Sequence, residues 1–188
     1  MAGRFTHVIG FDDAPFDHVH RGDVLVVGTF YAGTRLEGVL SGKVRRDGAN
    51  STRVLARLLR RSRFRPHLHL VLLQGIAFGG FNVVDLHELH DEIGVPVVAV
   101  MRRRPDFDRI RRALLEQVPG GARKWKLVEK AGAVEPAGRL FVQRAGITLA
   151  QTASAIASLC VTATIPEPLR TAHLIAGGVA RGESRHRA

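Results

Sequence analysis

Hydrophobic positions along the chain fall into runs of two periods, and their order predicts most of the architecture. Residues 6–12, 23–31 and 35–44 are rich in Val, Ile, Leu and Phe and are joined by the turn signals Gly22-Asp23 and Gly33-Thr34. Such short connections predict three strands in an antiparallel meander. From Asn50-Ser51-Thr52 the period changes: Val54, Leu55, Leu58 and Leu59 recur at helical spacing, so a helix capped by this triplet is expected to about Ser62. His67 to Leu73 and Pro96 to Met101 read as buried, apolar strands. Between them, Phe81 to Ile93 carries Val84, Leu86, Leu89 and Ile93 as the apolar stripe of a helix that Gly94 ends, and Pro105 opens a further helix to about Val118.

Beyond Gly120 the pattern weakens. Trp125 to Glu129 and Arg139 to Gln143 are short strand candidates, Thr148 to Val161 is an Ala/Leu/Ile-rich helix, and Ile165-Pro-Glu-Pro-Leu-Arg170 starts a last helix to about Ala180. With 188 residues, 45% of them hydrophobic, and no internal repeat or linker, one domain over residues 1–188 is expected, its tail 182–188 basic and mobile. An antiparallel meander followed by βαβα crossovers gives an α/β fold: a ribonuclease H-like mixed sheet with helices on both faces.

Three of these strands end in polar residues. The first runs into Asp12-Asp13, the third into Arg45-Arg-Asp-Gly48, and the fourth into Gln74-Gly75, followed by the glycine-rich Phe78-Gly-Gly-Phe-Asn82 and then Asp85. Open α/β sheets collect function at such ends, so these groups are candidates to meet. The net charge of +11, from 28 Lys+Arg against 17 Asp+Glu, favours a polyanionic partner. Arginine supplies most of it, in clusters at 57–65 and 102–112. That suits phosphate recognition, and a codon bias toward arginine would produce the same composition. No apolar stretch approaches the ~18 residues of a membrane span, and Met-Ala-Gly-Arg-Phe-Thr has no secretory core, so a soluble, cytoplasmic protein is expected. The single Cys160 excludes an intramolecular disulfide and reads as a small buried hydrophobe.

Gly10-Phe-Asp-Asp13, Arg46-Asp-Gly48, Leu73-Gln-Gly-Ile76, Gly80-Phe-Asn-Val-Val-Asp85, Pro96-Val-Val-Ala-Val100 and Ile165-Pro-Glu-Pro-Leu-Arg-Thr-Ala-His173 resemble, in order and over nearly the whole chain, a family catalogued as a domain of unknown function, number 99 in that series. That family is similar in turn to endonuclease V, a metal-dependent nuclease of ribonuclease H-like fold that cuts near deaminated bases such as inosine. The resemblance implies a Mg²⁺ or Mn²⁺ cofactor, nucleic acid as partner, and Asp12 and Asp47 as metal ligands, with Gln74 at the position of a third carboxylate. Asp13 and Asp85 are possible accessory ligands, since glutamine brings no charge. The late histidine of endonuclease V, sought in Gln143-Arg-Ala-Gly-Ile-Thr148, has no counterpart there. Its Pro-Tyr-Ile-Pro wedge is likewise replaced by Gly33-Thr-Arg-Leu-Glu-Gly38. Tyr31 is a candidate for stacking on a base, or a packed strand residue; Arg46, Arg102 and Arg103 are candidates for phosphate, with a solvated basic turn as the alternative for the run Arg102 to Arg104.

The remaining constellations carry less. The glycine turn matches neither a dinucleotide nor a phosphate-loop spacing. His87 and His90, with Glu88 or Asp91, share a helix face but lack a remote zinc ligand, so a solvated polar face is expected. His18 and His20 near Asp17 read as a polar loop, and no serine sits in a nucleophile elbow. Two classes of function remain: a Mg²⁺-dependent nuclease acting on modified or structured nucleic acid, which the acids favour, and a non-cutting nucleic-acid or nucleotide-binding protein on the same scaffold, which Gln74 favours.

Overall fold

The computed structural model describes residues 5–17 and 19–184. Its elements are β1 (His7–Asp13), β2 (Asp23–Ala32), β3 (Arg35–Arg45), α1 (Ser51–Arg61), β4 (Leu70–Gln74), β5 (Ala77–Phe78), β6 (Asn82–Val83), α2 (Leu86–Ile93), β7 (Val97–Met101), α3 (Phe107–Gln117), α4 (Gly121–Lys130), β8 (Glu135–Ala137), β9 (Leu140–Ala145), α5 (Leu149–Leu159) and α6 (Glu167–Arg181), with a short 3₁₀ turn at Arg65–His67. Seven strands form one sheet in the order β3-β2-β1-β4-β7-β9-β8. β1, β4 and β7 run parallel at its centre, and the flanking pairs are antiparallel. The mixed α/β architecture expected from the sequence is the one observed.

Alternation along the central strands sorts their side chains to two cores. Ile9, Phe11, Val71, Leu73, Val97 and Ala99 pack with α1 and α2 on one face, while Val8, Leu70, Leu72, Val98 and Val100 pack with α5 and α6 on the other. β4 and β7 are covered on both sides, which is why their sequences are apolar throughout. At β1 the same alternation sends Gly10 and Asp12 toward α6. A Cβ on Gly10 would lie 2.5 Å from the Pro168 carbonyl carbon, so only glycine lets α6 seat its first turn against the strand. Thr29 Oγ1 fixes the seat by donating to Pro168 O at 2.6 Å.

Four local expectations need correction. Phe81 does not begin a helix: residues 77–83 make the β5–β6 hairpin, and α2 starts at Leu86, capped by Asp85, whose Oδ1 accepts from Glu88 N–H at 3.0 Å. The glycine pair reverses the chain there, so the apolar residues before Asp85 serve strand and turn. Trp125 to Glu129 is helix, in α4. Its Trp-x-Leu alternation imitates a strand, but Lys, Leu, Glu and Ala favour helix and the segment packs on α3. Asn50 does not cap α1. Asn82, from the hairpin, does so instead: its Oδ1 accepts from Ser51 N–H and its C=O from Ser51 Oγ, both at 3.0 Å, while Asn50 Oδ1 accepts from Arg45 N–H. Cys160 is the half-buried C-cap of α5, its Sγ donating to Thr164 O at 3.2 Å, so it is less a core residue than expected. No helix among the described residues is long and apolar enough to cross a membrane. His18 and the tail from 185 onward lie outside the described residues.

Candidate active site

Asp12 and Asp13 end β1, where the chain leaves the sheet, and both border an opening of about 490 Å³ shared with Phe16, Gln74, Arg102 and His173. The parallel register that sets Phe11 beside Leu73 carries Asp12 to the level of Gln74, and Arg102 follows β7 in the next position along the sheet. Asp12 is buried, 5% exposed. Its Oδ1 accepts from Asp13 N–H at 2.9 Å, and its Oδ2 lies 2.8 Å from His173 Nδ1 on α6. Asp13 leaves the strand toward the other face, where its Oδ2 accepts from Gly79 N–H at 2.8 Å. Its carboxyl is pushed up to about 6, first by burial and then by the charge of Asp12. His173 is raised above its ordinary value, chiefly by the bond to Asp12.

The expected third strand end takes a neighbouring place. Asp47 sits in the turn after β3 at φ +47°, and its carboxylate accepts from Phe81 N–H at 2.8 Å while its own N–H donates to Gly79 O at 2.9 Å. Lys124 Nζ donates to its carbonyl. The glycine turn 79–81 is thus held by Asp13 from one side and Asp47 from the other, and a Cβ on Gly80 would lie 2.4 Å from Asp47 Oδ1. Asp47 borders a different opening, of about 460 Å³, with Arg53, Asp85, Glu88 and Lys124. Burial alone would raise the Asp85 carboxyl, yet the bonds from Lys130, at 2.5 Å, and from the α2 amides hold it low. Asp85 is therefore occupied as a cap and ion-pair partner and does not join Asp12.

The expected nucleic-acid contacts divide in the same way. Arg102 borders the Asp12 opening, and Arg103 beside it is exposed. Arg46 lies over the Phe16 ring, 5.4 Å from its centroid, donates to His20 O, and sits 3.3 Å from Asp47. Tyr31 is 6% exposed and its hydroxyl lies 2.7 Å from Thr171 Oγ1, so it is a packed strand residue tying β2 to α6 and presents no face for a base. His90, expected on a solvated face, instead lies 2.8 Å from Val95 O through Nδ1.

The residue missed from the sequence is His173. The histidine expected in the run before α5 arrives instead from α6, six residues after the helix starts at Glu167 within Pro-Glu-Pro. Gly10, small enough to admit that start, is the signal that pairs them.

The donor set can be tested against a divalent ion. Two adjoining carboxylates that resist ionising together, with the Gln74 amide on the same rim, are oxygen donors whose mutual repulsion a cation would relieve. Among the described residues no group of three or more His, Cys, Asp and Glu is arranged to hold a metal. The fit is to a hard ion that keeps several waters and takes one or two carboxylates, as Mg²⁺ does.

The family described as endonuclease dU matches residues 4–180. A UPF0215 protein of Deinococcus radiodurans is 60% identical over 181 residues, covering 96% of this chain and 92% of that protein. The crystal structure of a protein of unknown function from Archaeoglobus fulgidus superposes with a TM-score of 0.86 at 34% identity, covering 92% of this chain and 97% of that one. Endonuclease V of Ciona intestinalis, solved with a 24mer DNA containing an inosine followed by a ribo-adenosine, shares the fold with a TM-score of 0.55 at 15% identity, covering 89% and 82%.

Proposed function

Since the chain belongs to the endonuclease dU family, we propose that it is a metal-dependent phosphodiester hydrolase that nicks nucleic acid at a deaminated base, with deoxyuridine the first substrate to test. The observation that carries this reading is the convergence of Asp12, Asp13, Gln74, Arg102 and His173 on one opening at the ends of parallel strands. Support for nucleic acid as partner comes from the net charge of +11 and from the endonuclease V fold.

Asp12 and Asp13 would hold Mg²⁺ or Mn²⁺, with the Gln74 carbonyl as a further oxygen. The ion would supply Lewis-acid polarisation of the phosphodiester and a bound water of lowered pKa. His173 donates to Asp12 and so fixes the direction in which that buried carboxylate faces the opening. Arg102, on the rim, is placed to pair with a phosphate oxygen. Asp47 supports the site at one remove, by holding the glycine turn that also binds Asp13.

The alternative, a module that binds without cutting, is favoured by Gln74, which leaves the opening with two carboxylates. Labelled DNA and RNA strands carrying one uracil, one hypoxanthine or neither, incubated with Mg²⁺ or Mn²⁺, separate the two. Nicking that needs metal and the damaged base, and that Asp12→Asn abolishes, is the expected result. Tight binding without nicking in either metal would transfer the assignment to the module.

A further inference from the structure

Gln74 and Arg102 border the acidic opening, while their chain neighbours Gly75 and Met101 border a second recess beside it. This recess has a volume of about 200 Å³, several times the ~30 Å³ share of a water, and its walls include Ile76, Phe81, Phe107 and Leu114. One amide interrupts the apolar lining: Gln143 of β9, 1% exposed. Its Nε2 donates to Gly132 O at 2.7 Å, which fixes the amide so that Oε1 is the free end. That oxygen has no partner among the described residues, yet no buried side-chain nitrogen or oxygen among them is left unpaired. Oε1 must therefore touch open space, and the recess is open space that Gln143 borders.

Resting on the nuclease reading above, we infer that this recess receives the base extruded beside the cut and that Gln143 reads it, Oε1 accepting the ring N–H that deamination creates. Cytosine N3 and adenine N1 are bare acceptors. Hydrolytic deamination to uracil or hypoxanthine places a proton on that same ring nitrogen, so the edge changes from acceptor to donor. A fixed amide oxygen then distinguishes product from parent: it gains a hydrogen bond from uracil or hypoxanthine, and opposes lone pair to lone pair with cytosine or adenine. In an apolar recess no water compensates the mismatch, so the discrimination is large. Aromatic and aliphatic walls suit the faces of a base taken out of the stack. Thymine and guanine also carry the ring N–H, and are held back by the greater cost of extruding a correctly paired base.

The test is equilibrium binding without catalytic metal, by fluorescence anisotropy on single strands carrying one uracil, N3-methyluracil, cytosine or thymine. Wild-type protein should bind uracil and thymine strands at least about tenfold more tightly than cytosine or N3-methyluracil strands. Gln143→Met should level the four while keeping the affinity of the cytosine strand. Equal wild-type affinity for uracil and N3-methyluracil overturns the inference without any variant, and a preference that survives Gln143→Met overturns the role of Gln143. Nicking with no such preference would leave the nuclease standing and remove the reader. Preference without nicking would do the reverse.

Discussion

His173 Nδ1 lies 2.8 Å from Asp12 Oδ2, joining the last helix to the first strand across 161 positions of sequence. The contact exists because Gly10 and Thr29 seat the start of α6 against β1 and β2, and the helix then carries its seventh residue over the strand end. Since Asp12 also borders Asp13, one substitution should move two neighbours in the same direction. Asp12→Asn removes the like charge from Asp13 and the charged acceptor from His173. The Asp13 pKa should fall from about 6 while staying above its ordinary 3.8, because burial is the larger cause, and the His173 pKa should fall from its raised position. NMR titration of the two side chains checks this. An unmoved Asp13 would mean that the two carboxylates do not share the opening.

The glycine turn makes a second prediction. Gly80 has φ +87°, and an added methyl group would meet Asp47 Oδ1 at 2.4 Å. Gly80→Ala should therefore cost about 1–3 kcal/mol of stability in urea unfolding, from backbone strain and from displacing the carboxylate that binds Phe81 N–H. Nicking should fall as well, since the same turn holds Asp13. Activity unchanged at wild-type stability would show that Asp47 supports nothing.

The sheet was legible because its signals are of single period: alternating runs for the meander and continuous apolar runs for β4 and β7. Its polar ends were legible too, and Asp12, Asp13, Gln74 and Arg102 do border one opening. What escaped was set by contacts distant in sequence. Asn82 caps α1 from the hairpin. Asp85 caps α2 and binds Lys130. His173 reaches Asp12 only because a glycine in β1 admits a proline-led helix. A one-dimensional pattern records the period of an element and says little about which neighbour satisfies its exposed amides.

Glu167 should produce an acid-sensitive contribution to stability. Burial alone would raise its carboxyl, but bonds from Arg170, at 2.8 and 2.9 Å, and from Thr162 hold it below the ordinary 4.5. A depressed carboxyl contributes stability that is present above 4.5 and lost as pH falls through its lower folded value. Glu167→Gln should then be less stable than wild type at pH 7 by about 1–2 kcal/mol, with the gap closing as pH falls through the lowered folded value of Glu167. Thermal melts across that range decide it, and a constant gap would refute the electrostatic origin.

Binding to undamaged DNA should be governed by salt. With a net charge of +11, Arg102 on the rim and Arg103 exposed beside it, several phosphates are neutralised on contact, and log affinity falls linearly with log salt. Raising salt from about 50 to about 200 mM should weaken binding by orders of magnitude, and Arg102→Ala should reduce the slope by about one. Affinity indifferent to salt would remove the phosphate reading.

Gln74→Asp tests the metal by opposing its presence to its absence. Gln74 lies level with Asp12 in the neighbouring parallel strand, on the rim where Asp12 and Asp13 already repel. A third carboxylate there should lower the melting temperature at pH 8 in chelator, because each added charge faces two others in a partly dry opening. Adding Mg²⁺ should reverse the order. Stabilisation grows as RT ln(1 + [L]/Kd), so a tenfold gain in affinity is worth up to about 1.4 kcal/mol at saturating ion. Aspartate is one methylene shorter than glutamine, so Gln74→Glu is run beside it to keep reach constant. If the ion sits among these oxygens, at least one variant melts lower than wild type in chelator and shows the larger Mg²⁺-dependent rise, and combining it with Asp12→Asn cancels that rise. A rise no greater than that of wild type in both variants would place the ion elsewhere or nowhere, and would leave the non-cutting module as the better description of this opening.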